Sequence, residues 1–144
     1  MSTVPVWLPW ALGSAAFAAL TAIFAKIGLE GVDSDFATLI RTIVIVAVLG
    51  AFVAVTDKWR NPLTLPARST TFLVLSAFAT GASWVCYFRA LKLGEASQVA
   101  PVDKLSVVLV AIFAVIFLGE RPAAREWVGI GLVAAGVLML SLRR

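Results

Sequence analysis

Residues 36 to 56 read FATLIRTIVIVAVLGAFVAVT, an apolar run interrupted by a single charge, Arg41. A helix rising 1.5 Å per residue needs about 20 such residues to cross the hydrocarbon core of a bilayer. This run meets that length, and four more surround it: Trp7 to Leu29, Thr70 to Lys92, Ser97 to Leu118 and Glu126 to Leu142. In the last, the uncharged part runs only from Trp127 to Leu142, so crossing requires local thinning of the bilayer or snorkelling of Arg143 and Arg144. The expectation is an all-α integral membrane protein: one domain over residues 1–144, a five-transmembrane-helix bundle with helices near 7–29, 36–56, 70–92, 97–118 and 126–142.

Composition agrees. Of 144 residues, 61% are hydrophobic and 14% charged, far above the roughly 45–50% apolar content of a soluble domain. The chain has no His and one cysteine, Cys86. An internal disulfide, the usual zinc and iron–sulfur sites, and a His-based nucleophilic triad are thereby excluded within one chain. The net charge of +4 comes from Lys and Arg scattered between apolar runs, with no basic stripe to hold nucleic acid. No cofactor and no metal site are expected, nor is enzymatic chemistry.

The connections carry helix punctuation. Gly31 to Asp35 form a tight acidic turn whose Asp and Ser residues can cap the second helix. Asn61, Pro62 and Pro66 break the second connection and Gly94 the third, while Gly119 followed by Pro122 ends the fourth helix. Residues 1–6 lack Lys and Arg, and the first apolar run is too long for a signal-peptide core, so it is expected to stay in the mature protein.

Five crossings place the N-terminus, the second connection and the fourth connection on one side, here side A. Lys58, Arg60, Arg68, Arg121 and Arg125 fall there, against Lys26, Arg41, Arg89, Lys92, Lys104, Arg143 and Arg144 on side B. Five against seven is a near tie, and excess Lys and Arg is what normally fixes orientation. Trp7, Trp10, Trp59 and Trp127 gather at side A and tilt the assignment towards a cytoplasmic side A. Balanced charge on an odd number of helices also permits two copies to insert in opposite senses and pair as an inverted repeat.

Ionisable residues within a span mark function or structural pairing, because each is costly in hydrocarbon. Asp103 and Lys104 lie six and seven residues beyond Ser97, the expected cap of the fourth helix. Pro101 just before them fits a helix start, a kink or a break. Adjacent residues diverge by about 100°, so Asp103 and Lys104 are expected to find partners on other helices, with Lys26 and Arg41 as neighbours for Asp103. Ser106 shares the Asp103 face. In the third helix, Trp84 and Tyr87 share a face one turn apart and can stack on a substrate or pack on another helix; Cys86 reads as a buried inert thiol. Alanine and glycine repeats at Ala11, Ala15 and Ala19, at Ala77 and Gly81, and at Gly131 and Ala135 suggest close helix contacts. With Gly129 and Gly136, the last of these is a candidate dimer face.

The stretch WVCYFRALKLGEASQVAPVDKLSVVLVAIFAVIFLGERP from Trp84 to Pro122, with WVGIGLVAAGVLML after it, resembles EamA-type members of the drug/metabolite transporter superfamily. The matching elements are Tyr-x-x-Ala-Leu at Tyr87 to Leu91, Ala-Ser-x-Val-x-Pro at Ala96 to Pro101, Leu-Gly-Glu at Leu118 to Glu120, and the glycine-rich last helix. FAALTAIFAKIGLEGVDSDFATLIRT, Phe17 to Thr42, looks like the start of such a domain. The resemblance implies a five-helix unit ordinarily present twice per chain, inverted, around a central substrate cavity. This chain would then be a half-transporter in the inner cell membrane, needing a second copy of itself or a second EamA-like subunit. It departs from the four-helix multidrug exporters of the superfamily, which carry a membrane-embedded Glu in the first helix; here the first acid is Glu30, at that helix's end.

The leading expectation is an alternating-access exporter of amino acids or other small metabolites. Lys26, Arg41 and Lys104 would attract a carboxylate or phosphate, Trp84 and Tyr87 would contact the substrate, Asp103 would bind an amine or a proton, and Ser106 would line the same site. The alternatives are a non-transporting subunit of a larger complex, a proton-coupled multidrug exporter, and, last, a lipid-modifying membrane enzyme.

Overall fold

The computed structural model describes residues 5–141, so Arg143, Arg144 and the end of the last expected helix at Leu142 lie outside the described residues. Among those described there is no strand. The long helices are α1 (Leu8–Gly28), α2 (Ser34–Val55) and α3 (Ala67–Leu93). The fourth span is divided into α4 (Ala96–Asp103) and α5 (Ser106–Phe113) with a π turn over Ala114–Leu118, and α6 (Ala124–Ser141) ends the described chain. Among the described residues five stretches are long and apolar enough to cross a membrane, the fourth being Ala96–Leu118 taken whole. The ends sit within a few residues of those expected; α3 starts earlier because Arg68 and Ser69 carry it beyond its apolar run.

Local chemistry sets these ends. Asp33 caps α2, its carboxylate accepting from the Asp35 and Phe36 amides at 2.9 and 3.1 Å. Gly31, with φ of 71°, makes the preceding turn. Gly119 closes the fourth span in the left-handed region at φ 68°. Ahead of α6, the Ala123 amide donates to Glu126 Oε2 at 2.7 Å, one half of a capping box.

The chain forms two compact units, Phe24–Leu93 and Met1–Ile23 with Gly94–Arg144. In the first, α2 packs on α3 in antiparallel register. Asp35 meets Arg89, and six residues on Arg41 meets Trp84, five residues back along α3, as two equal rises require. Leu91 is wholly buried there, with Phe88, Leu29, Ser34 and Thr38 nearly so. In the second unit α6 packs on α4 and α5, with Ala22, Ala114 and Val137 buried. Most large apolar side chains face outward, Val46 and Phe78 among them, which suits a lipid solvent.

Among the described residues, the small-residue repeats do not hold helices together within either unit. Ala11, Ala15, Ala19, Ala77 and Ala135 are exposed. A methyl group added at Gly81, Gly129, Gly131 or Gly136 would meet nothing within 4 Å. Bulky side chains such as Phe88 and Leu91 fill the α2–α3 contact instead, leaving the small faces turned outward.

Candidate functional site

The face of α2 that meets α3 is polar. Ser34, Thr38 and Thr42 recur at four-residue spacing, with Arg41 beside them. Thr38 and Thr42 donate back to the carbonyls of Ser34 and Thr38 at 2.8 and 2.7 Å, which satisfies both hydroxyls inside their own helix. The opposing face of α3 is aromatic: Trp84 and Phe88 stand one turn apart. The Arg41 guanidinium carbon lies 4.5 Å from the Trp84 ring centre and 5.2 Å from that of Phe88. It therefore stays on the aromatic pair, at its own depth, rather than snorkelling to the Asp35–Arg89 level.

Stacking of this kind contributes about 0.5–2 kcal/mol and leaves the in-plane N–H fork open to an anion. No ion pair among the described residues involves Arg41. Tyr87 is half-buried next to this cluster, its ring 6.3 Å from Phe88 in an edge-on arrangement.

The other expected cations have oxygen partners. Lys26 donates to the Leu91 carbonyl at 2.7 Å, satisfying one of the last carbonyls of α3. Lys92 does the same to Val32 O at 2.7 Å. Arg89 grips Asp35 with two bonds, Nε to Oδ1 at 2.9 Å and Nη2 to Oδ2 at 2.6 Å. These contacts fasten the side B ends of α1, α2 and α3 within the Phe24–Leu93 unit.

Asp103 and Lys104 behave differently from the sequence expectation. They pair with each other, Nζ to Oδ2 at 3.1 Å, instead of each meeting another helix. The reason is the break in the fourth span. Pro101 has no amide to give to Ser97, and beyond it the Lys104 and Leu105 amides donate to Pro101 and Val102, three residues back. Lys104 ends α4 with ψ near 0°, outside regular helical geometry, and its long side chain folds back on its neighbour. Both side chains are part-exposed, and Ser106 opens α5 just after the break. Glu95 rather than Ser97 occupies the cap position, without a side-chain bond.

Arg41, Trp84, Tyr87 and Lys26 thus belong to one compact unit, and Asp103, Lys104 and Ser106 to the other. The sequence reading missed Phe88, Thr38, Thr42 and the Asp35–Arg89 pair; the four-residue spacing of Trp84 and Phe88, and of Ser34, Thr38 and Thr42, was the available signal. Cys86 is exposed rather than buried, because two residues of helix turn it about 200° from Trp84. Among the described residues no group of His, Cys, Asp and Glu could hold a metal ion.

Residues 5–142 match the model of the EamA-like transporter family. The chain belongs to that family. An uncharacterized transporter in the cobO 3′ region of a Sinorhizobium species is 59% identical over 94% of this chain and 96% of its own length. A probable 4-amino-4-deoxy-L-arabinose-phosphoundecaprenol flippase subunit, ArnE, of Proteus mirabilis is 25% identical over 60% of this chain and 77% of its own. An uncharacterized protein of Methanocaldococcus jannaschii is 25% identical over 59% of the chain. No solved structure matches. This EamA-family protein is a multi-pass membrane transporter. Its α2–α3 contact is where a guanidinium and two aromatic rings meet inside a span.

Proposed function

We propose that this protein exports small metabolites bearing a carboxylate or phosphate, by alternating access, as a dimer of five-helix units in the inner cell membrane. The observation that carries this reading is Arg41, seated within the α2 span on Trp84 and Phe88. A cation kept there on ring faces rather than on a carboxylate holds its donors for an anionic group that comes and goes. Trp84 and Tyr87 contact the body of the substrate. Lys26, Asp103, Lys104 and Ser106 are proposed as further contacts, with Lys26 and Lys104 exchanging their present oxygen partners for the substrate. No bond in the substrate is broken, so the protein is not an enzyme. A lipid-linked substrate is a second reading, favoured by the flippase-subunit relative.

The dimer is proposed to join two copies inserted in opposite senses, in keeping with the near tie in Lys and Arg. Its test uses Glu30→Cys and Asn61→Cys in a Cys86→Ala background, since Glu30 and Asn61 are exposed on opposite sides whereas Ser34 is buried. In intact cells an impermeant maleimide will label both positions. Labelling of one alone sinks the inverted homodimer and directs the search to a second subunit.

A further inference from the structure

An open groove of about 510 Å³ runs beside the start of α3, between Pro62 and Leu65 of the α2–α3 connection and Thr70, Thr71, Val74 and Leu75 of the helix. That volume lies in the range of about 300–1,000 Å³ used by small-molecule sites. Its lining is chemically apolar. Thr70 and Thr71 donate their hydroxyls to the Pro66 and Ala67 carbonyls at 3.3 and 2.9 Å, so both are satisfied within their own helix turn. Three basic residues lie close in sequence to the lining. Lys58 and Arg60 precede Pro62, and Arg68 stands three residues before Thr71 and seven before Leu75, on the same flank of α3. All three are exposed, and no ion pair among the described residues involves them. Trp59, 71% exposed, stands between Lys58 and Arg60, as an aromatic anchor at headgroup level does.

We propose that this groove holds one anionic phospholipid of the bilayer, its phosphate among Lys58, Arg60 and Arg68 and an acyl chain laid against Val74 and Leu75. Polarity runs the right way: α3 enters the membrane from this end, so the cations sit at the surface and the apolar positions lie deeper. Neutral zwitterionic lipid fills the same apolar trough but gains little from the cations, whereas each basic side chain near the surface favours an anionic headgroup by roughly fivefold. The site is independent of what the protein transports.

The test is native mass spectrometry of the delipidated full chain, titrated with phosphatidylglycerol or with phosphatidylcholine of the same acyl chains. One phosphatidylglycerol is expected to bind at least tenfold more tightly than phosphatidylcholine. Arg60→Gln with Arg68→Gln should weaken phosphatidylglycerol by about thirtyfold, two such factors together, and leave phosphatidylcholine unchanged. Thr71→Trp, at an exposed position that requires no repacking, should fill the groove and weaken both lipids. Equal binding of the two lipids by the native chain overturns the proposal, as does undiminished phosphatidylglycerol binding by Thr71→Trp with native helicity.

Discussion

Replacing Arg41 by Gln will lower export by about 10- to 100-fold while leaving the protein folded and inserted. The size follows from the bond at stake. A charge-assisted hydrogen bond contributes about 1.5–3 kcal/mol, and one decade of rate corresponds to about 1.4 kcal/mol. Folding survives because the guanidinium rests on ring faces and no ion pair among the described residues depends on it, so Gln strands no charge. Arg41→Lys should recover only part of the loss. An ammonium keeps the charge but has neither the planar face that lies on Trp84 nor the two-pronged fork that grips a carboxylate. The measurement is the accumulation of carboxylate and phosphate metabolites in the medium of cells expressing each variant at matched membrane levels. Native export by Arg41→Gln would remove Arg41 from the site and the anionic substrate with it.

The contrast between Arg41 and Lys26 shows how far sequence reading reaches into such a site. Both are basic residues in apolar runs, and composition treats them alike. What separates them is tertiary. Lys26 lies near the end of α1, where the last carbonyls of α3 lack intrahelical partners, and it supplies one. Arg41 lies farther inside α2, opposite residues that offer rings rather than oxygens. No spacing rule within one helix reveals which residue of an antiparallel neighbour stands opposite. That became legible only once the Asp35–Arg89 pair fixed the register.

The number of spans was legible because hydrocarbon thickness imposes a length that a run of apolar residues either meets or fails. The Asp33 cap and the Gly119 stop were legible for a related reason: each depends on a local conformation that few residue types adopt. The packing faces were not. In an apolar helix nearly every position is apolar, so the buried side carries no hydropathy contrast, and glycine or alanine spacing pointed to faces that turn outward. Ser34 and Thr38 are buried on the contact face of α2, yet Thr38 and Thr42 bond within their own helix just as the exposed Thr71 and Thr80 do, so polarity alone does not distinguish that face either.

The Asp103–Lys104 pair permits a test in which stability and transport separate. Asp103 stands seven residues into the apolar stretch that starts at Ala96, about 10 Å along a helical axis. Asp103→Asn leaves the Lys104 ammonium without its carboxylate, and Lys104→Gln leaves the carboxylate alone; a lone charge costs about 2.5–3.5 kcal/mol on insertion scales at a helix centre, the upper bound for this position nearer the end of its span. Each single variant should therefore lose thermal stability and membrane yield. The double variant, with both charges gone, should regain most of it, the signature of coupled partners. Neighbouring charges that merely share a stretch of chain would instead add their losses, so a double variant as unstable as the sum of the two singles would sink the pairing. Transport answers the other question. In the restored double variant the chain is sound but the proposed substrate contacts at the break are absent, and export should fall at least tenfold. Full export by that variant would assign the pair to structure alone and leave recognition to Arg41, Trp84 and Tyr87.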